Sequence, residues 1–154
     1  YSLFFSVNAV SFFSVSQASS WLAKRFGLVP VVRVAVIGFA ASMSLLFVVF
    51  AVGGGGLAVM AVLLFIGYGF LGLVIPTTSV LALEEHGEIA GTASALLGTL
   101  QFMTGAVVMG VVGAFLDGTA MPMVAGIAGC ALVTLLLTEL TLGRRRAAAT
   151  MPAE

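Results

Sequence analysis

Residues 34–83 read VAVIGFAASMSLLFVVFAVGGGGLAVMAVLLFIGYGFLGLVIPTTSVLAL, fifty positions without a charged side chain. A helix needs about 20 apolar residues to cross a hydrocarbon core of roughly 30 Å, so this run is too long for one crossing. It is interrupted by Gly53, Gly54, Gly55 and Gly56, which suit a tight exposed turn and oppose helix. The run therefore divides into two spans. Further charge-free runs cover 1–23, 89–116 and 118–138. The reading is an all-α membrane protein with five transmembrane helices, at about 1–23, 31–52, 57–83, 89–116 and 121–142, and a tail over 143–154.

Composition supports the same class. Of 154 residues, 61% are hydrophobic and 8% are charged. With glycine included, apolar content is about 72%, against about 45–50% for a soluble domain. That excludes an ordinary soluble enzyme, a nucleic-acid binder and a disordered tail. Net charge is zero, but its layout is uneven: Lys24, Arg25 and Arg33 form one basic group and Arg144, Arg145 and Arg146 another, with none between. Basic residues collect in cytoplasmic loops. Four spans separate the two groups, so both fall on one face, and the glycine loop and the Asp117-Gly118-Thr119 turn fall on the other. The expected topology starts outside and ends in the cytoplasm, with Trp21 as an interfacial anchor. The chain begins at Tyr1 without a signal-peptide pattern and reads as a piece of a longer protein.

Polar groups are sorted by helix. In span one, Asn8, Ser11, Val15 and Ser19 share a face; in span three, Phe65, Tyr68, Gly72, Pro76 and Ser79; in span four, Ser94, Gly98, Gln101 and Gly105. Spans two and five are greasier. Amides are unfavourable in lipid, so Asn8, Gln17 and Gln101 should face protein or water. Two readings stand: helix–helix glue, or a polar path lined by spans one, three and four with two and five as outer supports. Gly72 and Pro76 mark a kink, either static or a bending point. Gly91, Ser94, Gly98 and Gly105 are assigned to close helix packing, as are the small-residue ridges at Ala106, Gly110 and Ala114 and at Ala125 and Gly129.

No span centre carries Asp, Glu, Lys, Arg or His, as a proton relay normally requires. Glu139 lies near the end of span five, where it snorkels or pairs with Arg144–Arg146. His86 sits in a Glu84–Glu88 loop read as solvated rather than metal-binding. Cys130 is the single cysteine. No nucleophile elbow, zinc motif or phosphate-cradling loop is present, so no catalytic residue, metal or cofactor is expected.

The stretch Gly91-Thr92-Ala93-Ser94-Ala95-Leu96-Leu97-Gly98, with Leu100-Gln101-Phe102, resembles the eleventh helix of Bcr/CflA-type drug:proton antiporters of the major facilitator superfamily. Asn8-Ala9 with Ser16-Gln17 is similar to that family's eighth helix, Gly72–Pro76 to its tenth, and Asp117–Met123 to the turn into its twelfth. The resemblance implies helices eight to twelve of a twelve-helix transporter: residues 1–142 form most of the carboxy-terminal six-helix bundle. It implies export of small, largely apolar drugs by proton antiport and alternating access, in a bacterial inner membrane. The absent partners would be helix seven and the amino-terminal six-helix bundle, which would carry the protonatable acid. Expected path-lining residues are Asn8, Phe12, Phe65, Tyr68, Gln101 and Phe102. The Ser20–Gly27 segment resembles the superfamily's cytoplasmic loop, but Lys24 stands where an Asp is usual. The alternatives are another exporter of the superfamily, for a metabolite or sugar, or a non-transporting membrane scaffold.

Overall fold

The computed structural model describes residues 2–84, 87–115 and 118–149, with side chains from 6 to 143 within those ranges. Five long helices follow one another: α1 Ser2–Phe26, α2 Leu28–Ala51, α3 Leu57–Leu83, α4 Ala90–Ala114 and α5 Met121–Ala149, with a short 3-10 turn at Gly87–Ile89 before α4. At 1.5 Å per residue, each is about 36–44 Å long, enough to cross a bilayer.

The helices end where the backbone dictates. Gly27, with φ of 86°, is the one-residue corner between α1 and α2. Gly53, with φ of 80°, closes α2; its amide donates to the Phe50 carbonyl and the Gly54 amide to the Val49 carbonyl. That pairing satisfies the last carbonyls of the helix and requires a residue at ease in the left-handed region. The glycine turn therefore sits as the sequence reading has it. Other boundaries move. α1 runs through Lys24 and Arg25 to Phe26, and α2 starts at Leu28 rather than 31, with Pro30 in its first turn where no amide is needed. Arg33 consequently lies in the second turn of α2, not in a loop. α5 extends through the expected tail to Ala149.

Four helices, α2 to α5, are long and apolar enough to cross a membrane. α1 is 25 residues long but falls short of the same hydropathy, because it carries several serines, Asn8 and Gln17; Gln17, expected to face protein or water, is exposed within this chain.

Packing centres on α2 and α3. One face of α2 buries Ala40, Met43 and Leu46 against Val124 and Ala131 of α5. A second cluster joins Val32, Ala35 and Val36 to Val74 of α3. The opposite face of α2 leaves Val34, Ile37, Leu45 and Val48 exposed, as suits lipid. α1 lies on α3. There Gly72 lets the two backbones meet: a Cβ at Gly72 would stand 2.5 Å from the Phe12 carbonyl oxygen. Nearby, Ser11 Oγ donates to the Phe65 carbonyl at 2.9 Å, bridging the helices. α4 touches α3 and α5 only lightly and buries no residue.

Candidate functional site: two grooves on the central helix

Asn8 and Phe12 are four residues apart on α1 and so share a face. With Phe13 beside them and Tyr68 and Leu71 of α3 opposite, they line a cavity of about 280 Å³. The Phe12 and Phe13 rings meet edge to face, 5.6 Å apart. Asn8 Oδ1 is buried and has no hydrogen-bond partner among the described residues. An unmet buried acceptor costs about 1–3 kcal/mol. A ligand N–H or O–H entering the groove would meet that demand, while the rings supply apolar contact.

Gln101 stands elsewhere. A wider groove of about 730 Å³ runs between α3, α4 and α5, lined by Thr78, Ser79, Gln101, Thr104 and Gly105 among apolar neighbours. The expected lining set is thus divided. Asn8, Phe12 and Tyr68 come together on one side of α3, and Gln101 lines the groove reaching α4. Phe65 lines neither; its carbonyl accepts the Ser11 bond and its ring is exposed. Phe102 is 83% exposed, pointing away from both grooves. Sequence reasoning passed over Phe13, Leu71, Thr78 and Thr104. Thr104 had a signal, since it follows Gln101 by three residues on the same face.

The glycines of α4 do not pack within this chain. Nothing lies within 4 Å of a Cβ built at Gly91, Gly98, Gly105, Gly110 or, on α5, Gly129. Ser94 is exposed and donates to the Gly91 carbonyl of its own helix. The close approaches fall instead on Gly38, Gly67 and Gly72, beneath Phe70, Met43 and Phe12, on Gly55 against Phe50, and on Gly126 of α5, against Val112 of α4. α3 is helical through Pro76. Thr77, Thr78 and Ser79 each donate to carbonyls of the preceding turn, at Leu73, Val74 and Ile75.

Glu139 pairs with Arg33. The Arg33 guanidinium grips it with both prongs, Nε to Oε1 at 2.7 Å and Nη2 to Oε2 at 2.6 Å. This pair joins the second turn of α2 to the carboxy-terminal half of α5. Arg25 lies 5.2 Å from the centroid of the Trp21 ring near the end of α1. Among the described residues, no group of three or more His, Cys, Asp or Glu could hold a metal ion. Glu85, His86, Asp117 and 150–154 lie outside the described residues, as do the side chains of Arg144–Arg146.

No protein-family model matches the chain, and no solved structure matches it. Over 127 residues, 80% of its length, it is 33% identical to an uncharacterized MFS-type transporter, YdgK, of Bacillus subtilis (strain 168). The chain spans about 30% of that relative's length. The chain thus combines four helices long and apolar enough to cross a membrane, among the described residues, with a likeness over 80% of its length to part of an MFS-type transporter.

Proposed function

We propose that this chain is part of an exporter of small, largely apolar drugs, corresponding to helices eight to twelve of a twelve-helix protein. The observation that carries the reading is the groove between α1 and α3, lined by three aromatic residues and by Asn8, whose amide oxygen is buried and unmet. This combination suits a flat, apolar compound with one hydrogen-bond donor. Gln101 and Thr104 offer polar contacts on the other side of α3, where a second bundle would close the path. α3, with Pro76, is the helix that bends as access alternates.

Export would be driven by proton antiport, with the protonatable acid in the other bundle. Glu139 is held by Arg33 and lies near the end of the apolar stretch Met121–Gly143, so it is ill placed for that task. In this reading the protein sits in a bacterial inner membrane, and the positive-inside rule supports a cytoplasmic carboxy-terminal end.

The test is drug resistance and efflux in cells carrying the full-length transporter. Asn8→Ala and Tyr68→Ala should each lower resistance at unchanged expression, and a protonophore should abolish the wild-type efflux. Wild-type resistance in both variants would sink the site, and protonophore-insensitive efflux would sink the coupling.

A further inference from the structure

At the corner where α1 passes into α2, a cavity of about 330 Å³ is lined by Ser19, Ser20 and Lys24 of α1, Leu28 of α2, and Thr77 and Val80 of α3. Three features there favour an anion. Lys24 makes no ion pair among the described residues. Ser19 is only 5% exposed, yet its hydroxyl has no hydrogen-bond partner among them. The first amides of α2 have no side-chain cap, so the positive end of a 24-residue helix opens at Leu28. Thr77 is not a donor to the cavity, because its hydroxyl is committed to the Leu73 carbonyl. Glu84, the next acid along α3, follows one turn beyond Val80 and makes no ion pair with Lys24.

The surroundings favour an amphipathic anion over a small soluble one. A second cavity at the same corner, about 170 Å³, is lined wholly by apolar side chains, including Leu22, Phe26, Pro30 and Val34. Trp21, in the same stretch of α1, is 57% exposed, with the Arg25 guanidinium over its ring. Trp and basic residues in this arrangement mark the headgroup level of a bilayer.

We propose that this corner binds the phosphate-bearing headgroup of an anionic phospholipid. Lys24 and the α2 amides balance its charge, Ser19 and Ser20 donate to its oxygens, and the apolar cavity takes the start of an acyl chain. The inference requires that these helices lie in a bilayer, not that the protein transports anything.

Trp21, the single tryptophan, lines neither cavity, so binding is followed by calorimetry. The purified chain in neutral detergent is titrated calorimetrically with short-chain phosphatidylglycerol, short-chain phosphatidylcholine and inorganic phosphate. Phosphatidylglycerol should bind at least about fivefold more tightly than phosphatidylcholine, the effect of one basic residue at a membrane surface. Lys24→Gln should remove that preference, Lys24→Arg should keep it, and Ser19→Ala should weaken phosphatidylglycerol binding. Equal binding of the two lipids, or a Lys24→Gln chain that keeps the preference, overturns the proposal. Competition by inorganic phosphate at the lipid's own concentration overturns it in favour of a free-anion site.

Discussion

Replacing Gly72 with alanine tests the packing on which the α1–α3 groove depends. The added Cβ would lie 2.5 Å from the Phe12 carbonyl oxygen, where ordinary contact begins at 3.4 Å. Both atoms belong to helix backbones, so neither can swing aside. The helices must part locally by up to about 0.9 Å, which also strains the Ser11–Phe65 hydrogen bond two turns away. Overpacking of this kind costs about 1–3 kcal/mol. For a chain of this size each kcal/mol moves the thermal midpoint by about 2–4 °C, so a fall of about 2–12 °C is expected. The measurement is thermal unfolding in detergent, followed by circular dichroism. Two controls sharpen it. Gly67→Ala brings its Cβ against Met43 Cε, the free end of a flexible side chain, and should cost less than Gly72→Ala. Gly98→Ala meets open space and should gain a few tenths of a kcal/mol up to about 1 kcal/mol from helix propensity. If Gly72→Ala is as stable as Gly98→Ala, α1 does not rest on α3 at that point.

Further outcomes follow from the same geometry. Arg33 and Glu139 side chains are 40% and 37% exposed, so a double-mutant cycle of Arg33→Gln and Glu139→Gln should give a coupling of only about 0.2–1 kcal/mol, weakened by salt; a coupling near zero at low salt would contradict the bidentate contact. Gly53→Ala should destabilise by about 1 kcal/mol because its φ is positive, whereas Gly56→Ala, with φ of −90° and open space around it, should be close to neutral by the same assay. Pro76→Ala restores an amide that can donate to the Gly72 carbonyl, so the thermal midpoint should rise while efflux by the full-length transporter falls. A variant that is more stable and fully active would remove Pro76 from the mechanism.

Much of the fold was legible from sequence because hydrocarbon thickness and charge leave few choices. The glycine turn at Gly53–Gly56 follows from those two rules. Helix ends were less legible, since snorkelling lets Lys24 and Arg25 continue α1, and the stop is the positive φ of Gly27. Partners across the fold were not legible at all. Arg33 and Glu139 are 106 positions apart, and nothing local announces their meeting. Glycine was the least readable signal. The same residue admits a neighbour at Gly72 and faces open space at Gly98, because what decides its use is the helix opposite. Asn8, Phe12 and Tyr68 came together because a single helical face and a single interface hold them; Phe102 did not, because adjacency to Gln101 in sequence turns it about 100° away.

The central claim is that the α1–α3 groove is a wall of a water-accessible transport path. Its most direct test is cysteine accessibility in the full-length transporter, with Cys130 first replaced by serine and single cysteines then placed at Asn8 and Tyr68. The account predicts that both react with a membrane-impermeant thiol reagent and that a transported drug protects them. Two cysteines that stay unreactive in every condition would show a sealed helix interface, and the transport reading of the groove would fall.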